Sequence, residues 1–221
     1  MLPLYIAEPG LWLRPDASGR QFAFLRESLV ELREQLSRIG QPLVVRVGEA
    51  IPCLDQLHRK LGLATLWSHE ETGNGWTYER DLAVASWCRR QGVIWHEIPQ
   101  FGVIRRLRSR HGWARRWDSF MAKPISPAPT SLMRISNIAP GRIPDARDVG
   151  LTPDPCPERF PGGRLAGLAE LKSFLHERGE PYQKAMSSPR TALDGCSRLS
   201  PHLAFGSVSM RETFQAARHR Q

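Results

Sequence analysis

The sequence predicts an open parallel α/β sheet followed by an all-helical region. Three observations lead there. Short apolar runs alternate with amphipathic stretches through the first hundred or so residues, and strand–helix–strand order of this kind means parallel pairing through crossover helices. A segment rich in proline and glycine then breaks the pattern. Beyond it, apolar residues recur at the three-to-four spacing of helices.

The elements follow in order. LPLYIA (2–7) is an apolar run with the length of a buried strand. In QFAFLRESLVELREQLSRIG (21–40), Phe22, Leu25, Leu29, Leu32, Leu36 and Ile39 share one helical face, and Gly40 ends it. PLVVRVG (42–48) is a strand, CLDQLHRKLGL (53–63) a short helix and ATLWSH (64–69) a strand. TYERDLAVASWCRRQG (77–92) is a helix opened by Thr77 and closed by Gly92, and VIWHEI (93–98) is the next strand. AKPISPAPTS (122–131) and the stretch 137–163 form a linker or a long ordered loop. RLAGLAELKSFLHERG then places Leu165, Leu168, Leu171 and Phe174/Leu175 on one face, and SPHLAFG and SMRETFQAARHR are two further helical pieces. The expected organisation is an α/β domain over 1–121, a linker over 122–163 and a helical domain from 164 to 221.

Composition narrows the function classes. The 221 residues carry 31 Lys+Arg against 22 Asp+Glu, a net charge of +9 that favours polyanionic partners. Cys53, Cys88, Cys156 and Cys196 form no CxxC pair and have no histidine at zinc-finger spacing, so reduced thiols in a cytoplasmic protein are expected and no metal site. No stretch has the length of a membrane span, and MLPLYIAEPG lacks the basic start of a signal peptide. HExxH, GxSxG, GxGxxG and P-loop motifs are absent, which leaves hydrolase, NTPase and dinucleotide-fingerprint readings without support.

Three stretches carry possible chemistry. In CSRLSPHLAFG (196–206), Ser200 before Pro201 has the form of a helix N-cap. Ser197, Ser200 and Arg198 could hold a phosphate there; the alternative is a plain cap with Arg198 in an ion pair. RRLRSRHGWARRW (105–117) interleaves six arginines with two tryptophans, either a nucleic-acid contact or a solvated basic face with Trp113 and Trp117 packed inward. ETGNGWTYERD (71–81) follows a strand end, where open α/β sheets bind ligands; Asn74, Gly75 and Trp76 are a ligand loop or a turn capped at Thr77. Ser209 and Glu212 fit a capping box.

CSRLSPHLAFGSVSMRETF is similar to the flavin signature of the photolyase/cryptochrome family, TSRLSPYLAFG followed by a small residue, Ser and Arg. YERDLAVASWCRRQG with VIWHEI, and RRWDSFMAKP, also resemble that family. The resemblance implies a Rossmann-like parallel-sheet domain, a place for an antenna chromophore of folate or deazaflavin type, and a helical domain that cradles FAD. It implies light-driven repair of pyrimidine dimers in UV-damaged DNA, with a cryptochrome-like photoreceptor or an inactive truncated gene product as alternatives, and a monomer.

By position, Cys196, Ser197, Arg198, Leu199 and Ser200 correspond to the run that contacts the FAD phosphates and ribityl chain. Cys196 stands where the family usually has Thr, and a thiol donates weakly. Tyr182 matches an upstream flavin-contacting Tyr at a spacing about two residues longer. No catalytic residue is assigned. The family's WFRRDLRL-like first strand and its helix are missing from this sequence, so the remaining strands are expected to flank a gap and the chain to be truncated at both ends. The family's relay tryptophans would lie beyond this sequence, whose seven tryptophans fall between Trp12 and Trp117.

Overall fold

Strands β1 (Leu4–Ala7) and β2 (Val44–Val47) pair in parallel, with Leu4 opposite Val44 and Ala7 opposite Val47. The computed structural model describes residues 1–220. Their crossover holds a short α1 (Pro9–Trp12) and a long α2 (Gly19–Arg38), whose cap Ser18 accepts the Gln21 N–H. Alternation along β1 splits its side chains between two faces. Tyr5 and Ala7 pack with Phe22, Leu25 and Leu29 of α2, while Leu4 and Ile6 meet a cluster on the opposite side.

That opposite cluster is built by α3 (Ala50–Leu61) and α4 (Gly75–Gln91), which lead into β3 (Thr65–His69) and β4 (Ile94–Ile98) respectively. Gly62 and Gly92 end the two helices in the left-handed region, where glycine carries no Cβ penalty. Strands β3 and β4 pair in parallel, with Thr65 opposite Ile94. No ladder joins β1 to β3 among the described residues. Leu4, Ile6, Leu66 and Trp95 nevertheless pack on the same Ala50, Leu54, Val84, Trp87, Cys88 and Val93. Two helices therefore hold two strand pairs on either side of a gap, as the resemblance implied. The other face of β3–β4 is uncovered: Trp67, Ile94 and Ile98 are exposed, and Trp67 stacks on His96 at 4.0 Å.

Helix α5 (Trp113–Met121), not anticipated as a helix, precedes the proline-rich segment. That segment is an ordered strap. Leu132 N–H donates to Ile39 O (2.7 Å), Ile135 N–H to Gln41 Oε1 (2.7 Å) and Val45 N–H to Pro140 O (2.8 Å), which closes the outer edge of β2. Arg33 donates to the carbonyls of Pro140 and Gly141. The strap's 3₁₀ turn, Ala146–Val149, buries Val149 against α2.

The helical region comprises α6 (Arg164–Ser173), a π turn at Phe174–Arg178, α7 (Tyr182–Ala185), α8 (Pro189–Gly195), α9 (Ser200–Ala204) and α10 (Met210–Arg220). Leu171, Leu175, Leu199 and Val208 form its small core. The expected single helix over 164–179 is instead α6 plus the π turn, and Leu165 is 69% exposed rather than on the inner face. Its amide is drawn to Glu31 of α2 (3.2 Å), which orients the first turn of α6. The two regions meet where Glu27 accepts the Gly162 N–H (2.7 Å) and pairs with Arg159. No helix among the described residues is long and apolar enough to cross a membrane.

Candidate functional site

The stretch from Tyr182 to Ser200 is organised by one guanidinium. Arg178, at the end of the π turn, donates to Ser173 Oγ (3.0 Å), Glu170 O (3.2 Å), Cys196 O (2.6 Å) and the Glu170 carboxylate. A π turn widens the helix and frees carbonyls, and such turns recur at functional sites. Phe174, in the same turn, meets the Tyr182 ring edge-on at 5.6 Å. The structure thus ties Tyr182 and Cys196, fourteen positions apart in sequence, to one turn. Gly195 permits this packing, because a Cβ there would overlap Ala185 of α7.

The bend itself is at Arg198, whose φ of +59° is in the left-handed region. For a non-glycine residue that conformation costs about 1–2 kcal/mol. Its side chain offsets the cost by donating to Leu193 O (3.0 Å) and Asp194 Oδ1 (3.3 Å) while lying 5.3 Å over the Phe160 ring. The guanidinium is therefore used in ion pairing and loop closure. Leu199 turns inward and is buried in the helical core, so only its backbone faces outward.

The expected N-cap is displaced by one residue. Leu199 occupies the cap of α9, Ser200 is already helical, and Ser197 Oγ accepts the Leu199 N–H (3.4 Å). Ser200 is exposed, and its hydroxyl has no partner among the described residues. Ser197 keeps its hydroxyl proton free to donate, whereas Cys196 Sγ is spent weakly on Leu193 O (3.5 Å). Tyr182 is 44% exposed, with its phenol free. The donor set fits an oxyanion: two serine hydroxyls with protons free to donate, on one bend. It fits as one wall only, since Arg198 is engaged elsewhere.

Behind this wall lies His202, fully buried, edge-on to Phe24 of α2 at 5.0 Å and against Gly167, with Ser207 Oγ 3.4 Å from Nδ1. Burial pushes its pKa down, so the ring is held neutral. Of the expected capping box at Ser209, one half forms: Ser209 Oγ accepts the Glu212 N–H (3.1 Å), but the Glu212 side chain pairs with Arg164 instead.

A second concavity, of about 250 Å³, lies at the strand ends of the α/β half and is lined by Glu8, Glu49, Trp76, Glu79 and Arg80. Trp76 is the member that the sequence pointed to. Asn74 proves to be the cap of α4, accepting the Thr77 N–H (3.1 Å), so Thr77 is not the cap. Glu8, the residue after β1, is 3% exposed, accepts the Ala50 N–H (3.0 Å) and pairs with Arg80 (2.8 Å). Burial raises its pKa against the pull of Arg80. Arg105 extends the network to Asp81 (3.0 Å), Glu97 (2.6 Å) and Glu71 O (2.8 Å). The missed signal was a glutamate within two residues of the end of each of β1 and β2. Three carboxylates in a cavity below the usual range of about 300–1,000 Å³ do not fit an anionic folate or deazaflavin chromophore.

Known proteins sharpen the picture. Residues 1–104 match the model of the DNA photolyase family. A cryptochrome DASH of Gloeobacter violaceus is 29% identical over 205 residues, covering 85% of this chain and 41% of that protein. A deoxyribodipyrimidine photo-lyase of Halobacterium salinarum is 26% identical, covering 91% of this chain and 44% of its own length. The crystal structure of an archaeal photolyase from Sulfolobus tokodaii with two FAD molecules superposes with a TM-score of 0.72 at 21% identity, over 98% of this chain and 48% of that one. The chain thus spans about half the length of the curated relatives it matches. These alignments run on from the matched α/β half through the helical region, so the chain is similar to DNA photolyases and cryptochromes along most of its length.

Proposed function

We propose that this chain carries the α/β half and the first wall of the flavin site of a photolyase-type repair enzyme, acting on pyrimidine dimers in UV-damaged DNA. The observation that carries the reading is the pair of free hydroxyls at Ser197 and Ser200, held on the bend at Arg198. They would donate to the phosphates of FAD, with the Leu199 and Ser200 backbone beside them. Tyr182 would flank the cofactor, and Cys196 would contribute least. FAD, when bound, supplies the light absorption and the electron that splits a cyclobutane dimer. The protein's share would be to hold the cofactor and take the pyrimidine dimer out of the duplex.

FAD titration followed by flavin absorbance on size exclusion tests this. This chain alone should retain FAD weakly, and Ser197→Ala/Ser200→Ala should weaken retention by about tenfold, the scale of one or two lost hydrogen bonds. Equal retention by the double variant would refute the assignment. The cryptochrome name of one relative supports a second reading, a blue-light photoreceptor. A light-dependent loss of dimers in a version extended to the relatives' full length decides for repair.

A further inference from the structure

We propose that the loop and helix over residues 108–117, together with Arg218, form a contact surface for single-stranded nucleic acid, separate from Tyr182 and residues 196–200. The basic run holds six arginines, and the structure divides them. Arg105 is spent on Asp81, Glu97 and Glu71 O, and Arg106, at φ +57°, donates to the Tyr78 hydroxyl (2.8 Å). These two anchor the loop to the α/β half. Arg108, Arg110, Arg115 and Arg116 are exposed and make no side-chain hydrogen bond or ion pair among the described residues. Four free guanidiniums within nine residues repel one another, and Asp118 is the sole acidic residue within 105–121. A polyanion relieves that repulsion and releases its own counterions.

The aromatic part selects the kind of polyanion. Trp117 packs inward, edge-on to Phe214 of α10 at 4.8 Å, whereas Trp113 is 37% exposed at the free end of the same face. The rings run Trp113, Trp117, Phe214, and the exposed Arg218 guanidinium lies 5.7 Å from Phe214. One exposed ring, Trp113, in the same short run as four unpaired guanidiniums matches an unstacked base on a phosphate backbone, since every base offers a face to stack. A duplex would offer phosphates but no free face to Trp113.

The test is fluorescence anisotropy with a labelled, undamaged oligothymidylate, in the dark and without flavin, so that it does not depend on the FAD reading. Wild type should bind at low salt, with log affinity falling against log salt at a slope of about −3 for four phosphate contacts. Changing Arg108, Arg110, Arg115 and Arg116 all to Ala should reduce affinity at least tenfold and flatten the slope. The corresponding four-Lys variant should restore most of it, which a purely structural role would not. Trp113→Ala should cost about fivefold for oligothymidylate and nothing for heparin. The proposal is overturned if the four-Ala variant, folded by circular dichroism, binds as wild type does. It is overturned equally if duplex or heparin is preferred and Trp113→Ala has no effect.

Discussion

The α/β half and the helical region are held together by different means. In the first, Phe22, Val44, Val45 and Trp87 are buried to within 2% of complete, and helices cover both faces of β1–β2. In the second, the shared core is four residues, α10 buries none, and arginines tie the loops together through carbonyl oxygens. Apolar burial is non-directional and tolerates conformational adjustment. Guanidinium-to-carbonyl ties are directional, so they set the path of a loop at little apolar cost. The region carrying the serine bend is thus positioned by polar contacts, and the region beneath it by packing.

The largest expected break of that contrast is in the apolar half. Trp87→Ala should cost about 3–5 kcal/mol, the range for removing a buried aromatic side chain. Urea unfolding would measure it, with fluorescence reporting the α/β half and α5, because no tryptophan follows Trp117. Arg178→Met should cost less, about 2–3 kcal/mol, because several acceptors lose their donor at once in a partly wet site. Its effect should appear in far-ultraviolet circular dichroism at urea concentrations where tryptophan fluorescence is still native. Coincident transitions for both probes in this variant would mean that the two regions unfold as one unit.

Acidification should act on the two regions with opposite sign. In the helical region and its junction, Arg159 holds the Glu27 carboxyl low and Arg164 does the same for Glu212. A depressed carboxyl adds stability above its unfolded value, and that stability is lost as pH falls through the folded value. His202, kept neutral by burial, works the same way: from about pH 6.5 downward the unfolded chain takes up the proton first. Glu8 in the α/β half is raised instead, by burial. Its ionised form costs stability above the folded value, and the cost fades as pH falls through it. Thermal melts at pH 7, 5 and 3.5 should therefore show the helical transition moving down more than the tryptophan-reported one, first through His202 and, below pH 5, through Glu27 and Glu212. Equal shifts would count against this division.

How much of this was legible in the sequence differs by region for the same reason. The β1–α2–β2 unit follows from apolar spacing because its stability rests on apolar burial, and Phe22, Leu25 and Leu29 face the core as their period requires. The split of the sheet was legible only through the family resemblance, since no periodicity reports which strands pair. In the helical region, Leu165 misled because the hydrogen bond its N–H donates to Glu31 outranks one side chain's burial in setting the first turn. The serine bend was visible as a motif. The engagement of Arg198 by Leu193 O was not, because left-handed backbone at an arginine has no sequence signal comparable to glycine. Glu8 and Arg80 lie 72 positions apart, and only the crossover topology brings them together.

The smallest effect separates the two strand pairs within the α/β half itself. Val44 and Ile94 are both β-branched residues at the start of a parallel ladder, at matching positions of β2 and β4. Val44 is fully buried under Leu57 and Ile138, whereas Ile94 is 61% exposed on the face that no helix covers. Equal β propensity with unequal burial predicts unequal cost, because strand preference in proteins is mostly packing against neighbours. Val44→Ala should cost about 2 kcal/mol or more, from lost transfer energy plus a cavity. Ile94→Ala should stay within about 1 kcal/mol, since most of that side chain is already in water. Equal losses in urea unfolding would mean that the outer face of β3–β4 is covered in solution, and by more than water.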